Sequence, residues 1–160
     1  MEKLEKIYVW LAVGILLAFI VALIYASVIL AVRVPTDVGQ IVPNPGEALA
    51  SATMRTPPFD QPGVQEVAPG KYKVVVLGQA WMFNPPSIEL PLGADVTFYG
   101  TSLDIDHGFF IPNTDVNMML LPGQVSILRH KFDKAGVYRI ICHEYCGTLH
   151  HLMTGTITVK

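Results

Sequence analysis

The chain has 160 residues, 51% of them hydrophobic and 15% charged, with a formal net charge of −2 and a mean hydropathy of +0.43. These values are too apolar for a disordered chain and high for an ordinary soluble domain. The near-balanced charge lacks the basic face that a nucleic-acid binder needs to neutralise phosphates, and two cysteines cannot staple a disulfide-dense scaffold.

The apolar excess sits at the N-terminal end. Residues 7–32, IYVWLAVGILLAFIVALIYASVILAV, carry no charge. As a helix this run is roughly 39 Å long against a hydrocarbon thickness of about 30 Å, so it spans a bilayer with some tilt. Tyr8 and Trp10 near one end and Tyr25 nearer the other suit the interfacial preference of amphipathic rings. A cleaved signal peptide has a much shorter apolar core and a small-x-small cleavage site, and no such site follows here. The expectation is a retained single-pass anchor over residues 1–34. Lys3 and Lys6 precede the helix and Arg33 follows it, a slight bias that puts the N-terminus inside and the rest outside.

Residues 35–70 change texture. They hold Pro35, Pro43, Pro45, Pro57, Pro58, Pro62 and Pro69. Proline lacks an amide donor and fixes φ, so long helices and central strands are excluded there. This stretch reads as an extended connector that packs on the head or on a partner.

From Lys71 the pattern turns to strands. KYKVVVL, SIELPL, ADVTFYG, QVSILRHKF, GVYRIIC and GTITVK each read as one strand of about six residues. Turn signals separate them at Asn84-Pro85-Pro86, Leu92-Gly93, Pro112-Asn113, Pro122-Gly123 and Ala135-Gly136. Short strands at such spacing predict an all-β sandwich or barrel over residues 71–160.

The chemistry concentrates in residues 142–153, CHEYCGTLHHLM, on a loop between two predicted strands. Two thiols, an imidazole and a thioether fall there at fixed spacing: Cys142, Cys146, His150 and Met153. Upstream, His107 stands in TSLDIDHGFF, at the end of a strand. A structural disulfide would close a very short loop, constrain little of the unfolded chain and leave His150 and Met153 unexplained. Zinc would accept the sulfurs and imidazoles in a tetrahedron, but a thioether is a poor zinc ligand. A Cys–His nucleophile pair lacks an oxyanion hole and an orienting third group. Copper accepts thiolate, imidazole and a weak axial thioether together. One cysteine, two histidines and a methionine would make a mononuclear site; a second cysteine four residues on lets both sulfurs bridge two metals. Such a closed site suits electron transfer rather than substrate binding. His130 falls on an alternating strand and is expected to face solvent. His143 and His151 adjoin the cluster and are read, with His130, as non-ligands.

These residues resemble subunit II of the cytochrome c oxidases, the subunit that carries the copper A centre. The family motif C-x-E-x-C-x3-H-x2-M reads here as Cys142, Glu144, Cys146, His150 and Met153, and S-x-D-x-x-H reads as Ser102, Asp104 and His107. The resemblance also takes in the anchor, the aromatic segment GQAWMF, the Pro122-Gly123 turn and the last strand, and the single anchor is like the B-type branch. It implies a cupredoxin-like Greek-key β fold behind one transmembrane helix. It implies that Cys142 and Cys146 bridge two coppers, that His107 and Met153 complete one, and that His150 and the Glu144 backbone carbonyl complete the other. Trp81 matches the aromatic position that receives the electron. The implied partners are a cytochrome c-type donor, a haem-binding catalytic subunit I and the membrane lipid, with the head on the outer side of the cell membrane. In some relatives the Glu144 side chain binds magnesium, which stays open here. Asp106 stands where relatives often carry an apolar residue. Two other functions stay open at this point: a copper A subunit of a nitric-oxide reductase, and a membrane-anchored copper-delivery protein.

Overall fold

The computed structural model describes residues 2–30 and 36–160. The boundary expected at residues 34 and 35 lies outside the described residues, as does Arg33. Helix α1 runs over Lys3–Val28. Its first turn is closed by the Glu5 carboxylate, which accepts from the Glu2 N–H at 2.9 Å. Its apolar side chains are exposed all round, and it is long and apolar enough to cross a membrane. A helix that is apolar on every face has no water-facing side, which is the pattern a bilayer demands.

The remainder forms a sandwich of two sheets. Its strands are β1 (Thr36–Gln40), β2 (Gly63–Ala68), β3 (Lys71–Gln79), β4 (Met82–Asn84), β5 (Ser87–Leu90), β6 (Asp95–Ser102), β7 (His107–Phe110), β8 (Asn117–Leu120), β9 (Gln124–Lys131), β10 (Gly136–Ile141) and β11 (Thr154–Val159). One sheet has the order β1-β9-β6-β3-β2, with β4 also on β3; the other has the order β5-β11-β10-β7-β8. Two pairings are parallel, β3 with β6 and β11 with β5, and the rest are antiparallel. This is an all-β, cupredoxin-like sandwich.

Strand β3 shows why the sequence folds this way. Its run Val74, Val75, Val76, Leu77 is buried without a break. Val74 and Val76 face the sandwich interior, where they meet Phe83, Phe98, Phe109, Leu128, Phe132 and Ile140. Val75 and Leu77 face outward and are covered by Ile41, Ala52 and Phe59. A strand covered on both faces reads as a continuous apolar run rather than an alternation. The cover comes from the proline-rich stretch, which is packed on the head: it supplies the edge strands β1 and β2 and a short helix α2, Leu49–Arg55. Edge positions and a seven-residue helix are what its prolines permit. Glu47 anchors this segment. Its carboxylate accepts two hydrogen bonds from the Arg55 guanidinium at 2.7 Å and one from the Asn44 N–H at 2.9 Å. The Arg55 contact, followed by the Asn44 amide, lowers its pKa to about 2.

His130 departs from expectation. It is mostly buried rather than facing solvent: its Nδ1 meets the Asp115 carboxylate, and its ring stands edge-on to Phe132 at 4.6 Å. Asp115 lies in the β7–β8 connection of the other sheet, so this pair bridges the two layers at the rim, where a strictly in–out reading of β9 breaks down.

Candidate metal centre

One pole of the sandwich collects the ends of β3, β7, β10 and the start of β11. His107 is the first residue of β7 and is fully buried. It lies over Gly78 of β3, where a Cβ would come within 3.0 Å of the His107 ring carbon Cδ2. Gly78 is therefore needed for close approach, not for backbone freedom. Cys142 follows β10, and its N–H donates to the Met153 carbonyl at 3.2 Å, extending the β10–β11 ladder by one rung. Between these two residues the chain loops out through Glu144, Cys146 and a single 3₁₀ turn, His150–Leu152. The spacing read from the sequence is thus the length of one loop that leaves and rejoins the same ladder.

Within this pole Cys142 Sγ and Cys146 Sγ stand 3.8 Å apart, both buried, and both thiols are free. A disulfide bond is near 2.05 Å, so the pair is not a structural bridge. His107 Nδ1 is 4.0 Å from Cys142 Sγ, and His150 Nδ1 is 3.4 Å from Cys146 Sγ. Met153 Sδ is 3.8 Å from Cys146 Sγ, and the Glu144 carbonyl oxygen is 3.3 Å from Cys142 Sγ. The sequence motif therefore brings two thiols, two imidazole nitrogens, a thioether and a carbonyl into one shielded pocket. His107, Cys142 and Cys146 present ligand atoms that all lie within 4.8 Å of one another. Burial, reinforced by the neighbouring Cys142 thiol, pushes the Cys146 thiol up to about 11, so the metal-free pocket favours the neutral form and a bound cation must displace a proton. A set of sulfur and imidazole donors with one thioether suits copper and suits zinc poorly.

Trp81 lies against this pocket. Its Nε1–H donates to the Cys146 carbonyl at 2.8 Å, and its indole packs on Gly147, whose φ is +108°. The residue is 36% exposed, and its indole N–H reaches the backbone of one cysteine. Of the other histidines, His143 leans on Phe110 and Gly108 and holds the Glu144 carboxylate at 3.2 Å, and His151 is exposed in the 3₁₀ turn. Asp104 has a role that the sequence did not single out beyond its place in the motif. Its carboxylate meets His107 Nε2 at 2.8 Å and accepts from the N–H groups of Ala80 and Ile105, both at 2.7 Å. Burial opposes its ionisation, but the hydrogen bonds from His107, Ala80 and Ile105 outweigh this and hold the carboxyl below its usual value. The signal available in the sequence was an acceptor three residues before a ligand-type histidine.

The family described as "Cytochrome C oxidase subunit II, periplasmic domain" matches residues 72–160. The chain belongs to the cytochrome c oxidase subunit II family. A cytochrome c oxidase subunit 2 of Thermus thermophilus is 38% identical over 149 residues, which is 90% of this chain and 89% of that protein. A second Thermus thermophilus subunit 2 is 46% identical over 97 residues, 61% of this chain and 72% of that one. Among solved structures, a chain of a heme-copper terminal oxidase dimer superimposes with a TM-score of 0.78 at 34% identity, covering 99% of this chain and all of that one. As a subunit II the protein is part of a haem–copper oxidase, an oxidoreductase complex, and partners its catalytic subunit. Its apolar helix α1 is the membrane anchor, and its His–Cys–Cys group is a copper-binding arrangement.

Proposed function

We propose that this subunit II relays single electrons from a cytochrome c-type donor to haem in the catalytic subunit, through a dinuclear copper A centre held by His107, Cys142, Cys146, His150, Met153 and the carbonyl of Glu144. The observation that carries this reading is the closed donor set: two free, buried thiols 3.8 Å apart, flanked by two imidazoles and a thioether. Two coppers bound there supply a one-electron couple spread over two metals and two soft sulfurs. The chain's own residues do the rest. Cys142 and Cys146 neutralise the metal charge as thiolates. The β10–β11 ladder fixes Cys142 and Met153 relative to each other, and His107 is held by β7 and Asp104, so little rearrangement accompanies a change of one charge. Phe109 and Phe83 back the site with packed rings, 5.5 Å apart edge to face, and keep water from the inner side.

In this reading Trp81 receives the electron, because its exposed ring is hydrogen-bonded to the Cys146 carbonyl. The head works on the outer side of the cell membrane with the N-terminus cytoplasmic, a reading supported by Lys3 and Lys6 before the helix. The anchor over residues 1–34 contacts lipid, and the connector over residues 35–70 serves to fix the copper domain over residues 71–160. A magnesium ion at Glu144 would take its remaining ligands from the catalytic subunit, since among the described residues the only gathered ligand cluster is the His107 group. The membership in subunit II speaks against a copper-delivery protein, which needs open coordination.

The test uses the assembled oxidase with Cys146→Ser. Expected is loss of oxidation of the cytochrome c-type donor while the haem spectrum of the catalytic subunit is unchanged. Donor oxidation at the unaltered rate overturns the proposal.

A further inference from the structure

Asp104 sits where two networks meet. Its Oδ1 lies 2.8 Å from His107 Nε2, on the side of the ring away from the sulfurs, and its Oδ2 accepts from the Ala80 N–H at 2.7 Å. Ala80 immediately precedes Trp81, and the Trp81 Nε1–H donates to the carbonyl of Cys146 at 2.8 Å. The contacts form a nearly closed frame: His107 to Asp104, Asp104 to the turn carrying Trp81, Trp81 to Cys146, and Cys146 back to the thiol that faces His107 through Cys142. Ser102 holds the carboxylate from behind, its hydroxyl 3.2 Å from Oδ1.

We propose that Asp104 is a positioning residue that orients His107 and the Trp81 turn together, so that one carboxylate sets both the character of a metal ligand and the seat of the exposed indole. A carboxylate only accepts, so His107 must carry its proton on Nε2 and leave the Nδ1 lone pair facing Cys142. A carboxylate on the far nitrogen of a ligating histidine fixes its tautomer and raises its basicity, and its loss typically weakens metal binding about 10–100-fold. The second oxygen adds what a simple ligand partner lacks, a bond to the backbone beside Trp81. An asparagine has one acceptor and one donor end, so it satisfies either His107 or Ala80 but not both. The neighbouring Asp106 is a natural control. It borders the same surface cavity, lined also by Asp104, Tyr145 and Cys146, but makes no hydrogen bond to His107.

This inference rests on the copper A reading for its metal readouts, and its metal-free readouts do not depend on that reading. In the full, metal-free chain in detergent micelles, nitrogen-15 NMR is expected to find the His107 ring protonated at Nε2; a ring protonated at Nδ1 overturns the proposal without any variant. In the same metal-free chain, Asp104→Asn is expected to speed solvent exchange of the Trp81 indole N–H at least several-fold, while Asp106→Asn leaves it within about twofold. With copper added, Asp104→Asn is expected to bind it about 10–100-fold more weakly and to shift its reduction potential upward by more than Asp106→Asn does, although both remove one charge. Equal potential shifts in the two variants, or unchanged indole exchange in Asp104→Asn, would overturn the proposal. Should the variants behave as expected but bind a single copper, the copper A reading fails and the positioning role stands.

Discussion

Gly108 is the residue between the buried His107 and the aromatic Phe109, and substituting alanine there probes the packing behind the centre. A Cβ on Gly108 would lie 2.6 Å from Cγ and Nδ1 and 2.7 Å from Cδ2 of His143. Ordinary carbon contacts begin near 3.5 Å, so the ring must retreat by almost 1 Å. Cγ is one bond from the His143 Cβ, and a ring rooted so close cannot swing clear by bending at its tip. It must leave its rotamer, which costs about 0.5–1.5 kcal/mol, and give up the edge contact to Phe110, with centroids 6.2 Å apart, for about another 0.5–1.5 kcal/mol. Against this, alanine narrows the unfolded ensemble and returns roughly 0.4–1 kcal/mol. At the midpoints of these ranges the net is a loss of about 1.3 kcal/mol, within the usual range for overpacking. For a head of this size that lowers Tm by roughly 3–10 °C. The assay is thermal unfolding of the full chain in detergent, followed by near-ultraviolet circular dichroism. Gly108→Ala combined with His143→Ala is expected to recover most of the loss, because the two changes couple through one clash. The double variant is also expected to keep its copper, since His143 is read as a non-ligand. A wild-type Tm for Gly108→Ala, or a double variant whose loss equals the sum of the singles, would refute the reasoning.

Two further expectations are independent of this one. Met153→Leu should retain copper and change its reduction potential, because an axial thioether tunes more than it holds; spectroelectrochemistry reads this, and complete loss of metal would contradict it. The Glu47 carboxyl, lowered to about 2 by Arg55 and the Asn44 amide, favours the packed connector fully above its unfolded value near 4.5, and that contribution disappears as pH falls toward 2. Limited proteolysis by an acid protease should therefore find the wild-type connector and Glu47→Gln equally open near pH 2 and the wild type better protected at about pH 5; equal cleavage at the higher pH would contradict the assignment.

How much of this was legible in the sequence follows from the length of each feature. Strands β3, β6, β9, β10 and β11 run six to nine residues, long enough for β-branched runs to stand out between turn signals. Strands β7 and β8 have four residues each, too few for an alternation to be seen, and β1 and β2 lie among prolines that point away from strand. Helix α2 spans seven residues, under two turns, so no helical period can show; Ala52 and Phe59 hold its segment by packing on Val75 and Leu77 rather than by propensity. The residues of the candidate centre were visible because soft ligands at a fixed spacing in one loop have few other uses. What surrounds them was not. Asp104 meets the Ala80 N–H of a turn far back in the chain, His130 finds Asp115 in the β7–β8 connection of the opposite sheet, and Gly108 of β7 lies under His143 beyond the end of β10. Such contacts depend on how strands are laid side by side, which local pattern does not state.

The central claim is that both cysteines hold a pair of coppers. Electron paramagnetic resonance of the full chain in detergent, loaded with copper to saturation, tests it most directly. Hyperfine structure shared equally by two copper nuclei is expected, collapsing to a single-copper pattern in Cys146→Ser. A spectrum from one copper nucleus in the unaltered chain at full loading would contradict it.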